Sequence, residues 1–237
     1  MIFYGINPLF EALHSAYLPA RILVQPGKEK NRRIQKILRL AESRGIPVET
    51  TDSLDKRCDS PAHQGIAAVA GDLPVAPLAE GTVLDSRLIM LDSIQDPHNF
   101  GAAMRVCEAL GFHDVIYHRG NSSGLTPAAI KVSTGAVFHL RLLVSNLNNA
   151  VKRLKRDGYS LCVLEADAET SLYNMNVPDK FCVVVGSEGK GVRHNIVQAA
   201  DCLMRIPMHG RVNSLNVSCA LTAVLSELSR RRDVHEN

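Results

Sequence analysis

The sequence has no CxxC pair and no HExxH pair. Its six cysteines are scattered at Cys58, Cys107, Cys162, Cys182, Cys202 and Cys219, which indicates neither a zinc site nor a disulfide framework. They read as small buried apolar residues. The nine histidines form no obvious triad, and each reads as an ordinary surface or capped-core side chain. Long apolar runs are missing as well. Phe181-Cys-Val-Val-Val185 and Arg87-Leu-Ile-Met-Leu91 fall far short of a bilayer span. The N-terminus lacks a basic region followed by an apolar core, so the expected location is the cytoplasm, with no membrane partner. A formal charge of +3 is a small excess that permits a nucleic-acid partner without demanding one. No internal repeat is apparent.

What is present is ordinary globular composition. The 237 residues are 46% hydrophobic and 22% charged, enough for one large domain or two modest ones. Arg21 to Gln25 reads as a strand, and from Lys28 to Arg44 the residues Ile34, Ile37, Leu38 and Ala41 recur at the spacing of an amphipathic helix. The other face of that helix carries Lys28, Lys30, Arg32, Arg33, Lys36, Arg39 and Arg44 against only Glu29 and Glu42. Such a basic run is either a solvated face or a contact to RNA phosphates. Strand-like pieces at Val48 to Thr51 and Ile66 to Ala70 complete a small first unit. The Pro- and Gly-rich stretch Gly71 to Gly81 then reads as a linker.

Beyond the linker, strand and helix alternate. Strands are expected at Leu88 to Leu91, Asp114 to Tyr117, Leu140 to Val144, Ser160 to Leu164, Phe181 to Val185 and Cys202 to Ile206. Helices are expected at Gly101 to Leu110, near Pro127 to Lys131, at Asn149 to Arg156 and at Leu215 to Arg230. This alternation argues for a parallel sheet covered by helices.

Three stretches rich in Gly, Asn and Ser each follow an apolar, strand-like run: Asp92-Ser-Ile-Gln-Asp-Pro-His-Asn-Phe-Gly-Ala-Ala-Met-Arg105, Val185-Gly-Ser-Glu-Gly-Lys-Gly191 and Ile206-Pro-Met-His-Gly-Arg-Val-Asn-Ser-Leu-Asn-Val-Ser218. They deliver polar backbone to one sheet edge, where a small polar cofactor can bind. The glycine spacing in the second matches neither a P-loop nor a dinucleotide fingerprint. Taken singly, it could be a chain-reversing turn. Asn99 could equally be a helix cap and Arg105 a surface arginine, and Ser214 or Asn213 could cap the last helix.

In order and spacing the three stretches resemble the three sequence motifs of the SpoU-type RNA ribose methyltransferases. Lys131-Val-Ser-Thr-Gly-Ala136 resembles the Ser-x-Gly-Ala segment that the family places beside its catalytic pocket. Tyr4-Gly-Ile-Asn-Pro-Leu-Phe-Glu-Ala-Leu13 and His63-Gln-Gly-Ile66 look like the start and end of the small substrate-binding domain, similar to a ribosomal-protein fold, that many of these enzymes carry.

The resemblance implies an α/β protein in two parts. An RNA substrate-binding domain would cover 1–72 and a linker 73–84. A parallel-sheet methyltransferase domain with a trefoil knot would cover 85–237, although general rules disfavour knots. S-adenosyl-L-methionine is the implied cofactor, held by backbone groups of Gly186, Ile206 and Leu215, with no metal. The implied catalytic residues are Arg105, Asn99, Glu188, Ser214 and Asn216.

Arg105 would face the RNA, either accepting a proton or stabilising a developing alkoxide. A guanidinium pKa of about 12 or higher makes the second role the less costly one. The implied substrate is a ribose 2′-hydroxyl, expected on a guanosine of large-subunit ribosomal RNA, and the implied assembly is a homodimer. Transfer RNA as substrate, methylation of a guanine base, and a noncatalytic RNA-binding protein of the same fold are the alternatives. A chain beginning near Val83 is expected to fold, dimerise and bind the cofactor by itself.

Overall fold

A computed structural model describes residues 1–187, 189–211 and 214–235, with side chains through Arg231. The first unit contains β1 (Ile2–Tyr4), α1 (Ile6–Leu13), β2 (Arg21–Val24), α2 (Arg32–Ser43), β3 (Val48–Thr50), α3 (Leu54–Cys58) and β4 (Ile66–Val69). Its four strands lie in the order β1-β4-β2-β3. The long basic helix expected from Lys28 is broken at Asn31. A 3-10 turn spans Lys28–Lys30, and Asn31 caps α2 by accepting from the backbone of Arg33 and Ile34. Ile34, Ile37 and Ala41 are the buried stripe, while the cationic side chains of the segment are exposed.

The second part contains β5 (Val75–Pro77), β6 (Arg87–Asp92), α4 (Pro97–Ala109), β7 (Asp114–Tyr117), α5 (Pro127–Val132), β8 (Arg141–Val144) and α6 (Leu147–Arg156). It continues with β9 (Ser160–Leu164), β10 (Phe181–Gly186), α7 (His194–Val197), β11 (Cys202–Met204) and α8 (Val217–His235). Seven strands form one sheet in the order β11-β9-β10-β6-β7-β8-β5, with every pairing parallel. Both faces are covered, so the central strands are apolar throughout rather than alternating. Ile89 and Leu91 of β6 point into the core beneath α4 and α8, whereas Leu88 and Met90 face the side of α6 and α7.

Two features depart from the sequence reading. Val75–Pro77, within the stretch that reads as a linker, pairs with β8 as an edge strand of the large sheet. The core of the first unit also runs without a break into the core of the second, because Phe3, Ile6 and Leu9 belong to the same buried cluster as Ile130, Val137 and Phe138. The rings of Phe3 and Phe138 lie 5.2 Å apart between centroids. Among the described residues no helix is long and apolar enough to cross a membrane.

Candidate active site

The strand order places the candidate site. From β6 the chain runs outward through β7 to β8, then crosses to β9 on the other side and returns with β10 between β9 and β6. The carboxyl ends of β6 and β10 therefore flank a topological switch point, where loops diverge and leave a crevice for a ligand. Gly186 and Asp92, the last residues of these strands, lie opposite each other in register. The first and second motifs start here.

Asp92 is fully buried. Ser93 follows with φ 63°, which turns the chain sharply out of the sheet. Asp96 then caps α4, its Oδ1 accepting from the His98 amide at 3.0 Å, with Pro97 in the first turn. Asp96 rather than Asn99 is the cap, and Asn99 Oδ1 accepts from Asn216 Nδ2 at 2.8 Å. Asn216 Oδ1 accepts from the Ser218 amide at 2.9 Å and from Ser218 Oγ at 2.6 Å. Asn216 thus caps α8 with one end of its amide and joins the first motif with the other.

The second motif folds back on itself. Ser187 and Gly191 form an antiparallel bridge, and Gly191 donates to the Ser187 carbonyl at 2.9 Å. A Cβ on Gly186 would run into the Gly191 carbonyl and the Val192 nitrogen, so only glycine allows this backbone approach. The returning arm is held by two carboxylates. Val192 donates to Glu165 Oε1 at 3.4 Å. Arg193 donates to Asp92 through its amide and its Nε, each at 2.9 Å, and Ser93 Oγ donates to Asp92 Oδ1 at 3.0 Å. Glu188, the motif's acidic candidate, lies outside the described residues.

Sequence reasoning missed Asp92, Arg193 and Glu165. A carboxylate closing the apolar run of β6 was the one signal that could have found them. Their pairing across the sheet left no trace in spacing.

The third motif follows β11. Residues Ile206 to Arg211, Ser214 and Leu215 make no hydrogen bond among the described residues. Leu215 is 41% exposed and Met208 37%. Free backbone donors and acceptors beside exposed apolar side chains suit a ligand with a flat apolar face and a polar edge, the character of an adenine ring. Gly186, Ile206 and Leu215 therefore fit a nucleoside-type cofactor. Among the described residues no group of His, Cys, Asp and Glu could hold a metal ion.

Arg105 stands apart from the two asparagines. It lies six residues beyond Asn99 on α4, hence about 120° away around the helix axis and roughly 9 Å along it. The guanidinium is exposed. It borders a cleft of about 270 Å³ whose wall includes Glu11, Glu108, Thr134 and His139. Thr134 belongs to the Ser-x-Gly-Ala stretch. There Ser133 Oγ donates to the Ile130 carbonyl at 2.9 Å, and Gly135 takes φ 96° with α1 filling the space of its missing Cβ. His139 Nε2 and Glu11 Oε2 meet at 2.9 Å across the two units. The described residues therefore bring Asn99 to Asn216, with Ser214 and Leu215 directly before α8, put Gly186 in register with Asp92 at the head of the first motif, and set Arg105 beside Glu11 of α1. A second groove, of about 790 Å³, opens at the other end of the sheet, beside Ser86, Arg87 and Phe181, away from all three motifs.

Comparison with known proteins finds relatives over nearly the whole chain. Residues 86–226 match the model of the SpoU rRNA Methylase family, and residues 2–75 match the RNA 2'-O ribose methyltransferase substrate binding family. A Staphylococcus saprophyticus protein named as a TrmH family tRNA/rRNA methyltransferase is 34% identical, covering 98% of this chain and 96% of its own. The crystal structure of an RNA 2'-O ribose methyltransferase superposes with a TM-score of 0.77 at 26% identity, over 98% of this chain and 88% of that one. The SpoU methyltransferase AviRb from Streptomyces viridochromogenes, solved in complex with AdoMet, has the same fold, with a TM-score of 0.79 at 21% identity over 99% and 91% of the two chains.

Proposed function

We propose that this chain, which belongs to the SpoU rRNA methylase family, transfers a methyl group from S-adenosylmethionine to a ribose 2′-hydroxyl of structured RNA. The observation that supports this reading is the Asn99–Asn216 bond, which ties the start of α4 to the start of α8, together with Gly186 closing β10 in register with Asp92 and the backbone around Ile206 and Leu215 that makes no hydrogen bond among the described residues. When bound, the cofactor supplies a methyl carbon on a sulfonium centre, open to in-line attack by an oxygen. The protein has to place that oxygen and ease the departure of its proton.

Backbone groups of Gly186, Ile206 and Leu215 hold the cofactor in this scheme. Asn99 and Asn216 fix the start of α4 against the start of α8, with Ser214 directly before α8, and Glu188 is a candidate by its place in the second motif alone. Arg105 receives the RNA. Its guanidinium stabilises negative charge developing on the 2′-oxygen, a role that needs no costly deprotonation of arginine. Because Arg105 is turned away from Asn99, we further propose that the working pocket forms in a homodimer with a trefoil-knotted methyltransferase domain.

The finer assignment is a guanosine of large-subunit ribosomal RNA, modified in the cytoplasm. The description of the matched family supports ribosomal RNA, and the match of residues 2–75 to a substrate-binding family supports an RNA substrate. The test is incubation of the full chain with labelled cofactor and total RNA, followed by mapping of the label. Label in large-subunit RNA is expected, and label confined to transfer RNA overturns this assignment.

A further inference from the structure

Cations from three separate elements converge where the two units meet. Gln64 is the hub. Its Oε1 accepts from the Ile6 amide at 3.0 Å and from Lys131 Nζ at 3.0 Å, which ties the start of α1 to the end of α5. On the neighbouring residue, the stem of Lys28 fills the space a side chain would need, since a Cβ on Gly65 would sit 2.5 Å from Lys28 Cγ. Asn7, next to Ile6, accepts from the Arg33 guanidinium. Gly5 is required as well. It takes φ 103°, and a Cβ there would lie 2.5 Å from Lys131 Nζ. The Tyr4-Gly-Ile-Asn and His63-Gln-Gly-Ile segments thus build one platform from which Lys28, Arg33 and Lys131 project.

Lys131 is the most telling of the three. It is half-buried, and its ammonium donates to the neutral amide of Gln64, with no carboxylate paired to it among the described residues. Burial pushes its ammonium below the ordinary lysine range, with no opposing charge to restore it. A half-buried cation without a counter-charge is costly unless an anion arrives. Two residues further on comes Ser133, and the Ser-x-Gly-Ala stretch leads to the cleft bordered by Arg105. The cations of the α2 segment and Lys131 thus meet at the junction, and Lys131 precedes Thr134 and Ala136 of the Arg105 cleft, whose wall also carries Glu11 and Glu108.

We propose that Lys28, Arg33 and Lys131 form a cradle for consecutive phosphates of the RNA backbone, seating the strand that enters the Arg105 cleft. This rests on the reading of the chain as an RNA methyltransferase. A purely structural clip between the units would need the hydrogen bond to Gln64 but not the charge of Lys131.

The test is the salt dependence of binding of a fixed RNA hairpin to the full chain. Removing one cation–phosphate interaction should lower the slope of log affinity against log salt by roughly 0.7 to 0.9. Lys131→Gln, which keeps hydrogen-bonding capacity, and Lys28→Met, which keeps the apolar stem, are each expected to lower the slope by that amount with little change in melting temperature. Lys131→Arg should restore the slope, and Lys152→Gln, on the exposed face of α6, should leave it unchanged. Wild-type slopes for Lys131→Gln and Lys28→Met, or an equal drop for Lys152→Gln, overturn the cradle. Ribose methylation by the wild-type chain is followed alongside. Transfer with unaltered slopes sinks the cradle alone, whereas altered slopes without transfer support the cradle and sink the enzymatic reading.

Discussion

Asn216 Nδ2 donates to Asn99 Oδ1 at 2.8 Å across 117 residues of sequence. The bond links the first turn of α4 to the cap of α8, so the first and third motifs are tied side chain to side chain. Removing either partner breaks the same link. Asn99→Ala and Asn216→Ala are each expected to slow methyl transfer strongly, and the double variant should be less impaired than the two single effects combined, with a coupling of about 1 kcal/mol. Asn216→Ala should also cost about 1 kcal/mol of stability because α8 is no longer capped. Fully additive effects in a kinetic double-mutant cycle would count against the pair acting as a unit.

Arg105 is exposed and has no hydrogen-bond or ion-pair partner among the described residues. Its replacement should therefore change stability by no more than about 0.5 kcal/mol. Arg105→Ala is expected to abolish transfer while leaving cofactor affinity near the wild-type value, as measured by calorimetry. A parallel fall in cofactor binding would move Arg105 to the cofactor side of the site.

The Asp92–Arg193 pair pins the returning arm of the second motif to the end of β6. The carboxylate is fully buried, whereas the Arg193 side chain is 36% exposed, so water can partly compensate the arginine if its partner is removed. Asp92→Asn should destabilise the protein by about 2 kcal/mol, below the roughly 3 to 5 of a fully buried pair. Because the arm packs on Gly186, cofactor affinity should also fall, by about tenfold. Urea unfolding and calorimetric titration check the two numbers, and an unchanged affinity would show that the arm keeps its shape without the pair.

Much of this was legible in the sequence. Leu88 to Leu91 and Phe181 to Val185 read as strands because both faces of a parallel sheet are buried, and α2 announced itself through Ile34, Ile37 and Ala41. The three motifs likewise appear where the apolar runs stop. Less visible was anything decided by a distant partner. Val75–Pro77 lies between Pro74 and Leu78 in a stretch that reads as linker, yet it becomes an edge strand because β8 offers a free side and an edge tolerates proline. Likewise α4 starts at Pro97 rather than Gly101, because Asp96 accepts from the His98 amide. Asp92 and Arg193 lie 101 residues apart, and only the fold brings them together.

The merged core changes what truncation should do. A chain beginning at Val83 loses β5 from the sheet and the α1 and β1 surfaces that cover Ile130, Val137 and Phe138. Sequence composition suggests an independent second domain. The packing instead predicts a marked fall in melting temperature and binding of hydrophobic dyes. For the full chain, Phe138→Ala should cost about 3 to 5 kcal/mol. A truncated chain as stable as the whole would show that the shared core adds little.

The central claim is that these motifs methylate a ribose oxygen. Its most direct test is nucleoside analysis by mass spectrometry after the full chain has acted on RNA with S-adenosylmethionine carrying an isotopically labelled methyl group. The account predicts label in a 2′-O-methylated nucleoside, expected to be guanosine, and none with Arg105→Ala. Label on a base, or no transfer by a chain that binds RNA, would contradict it.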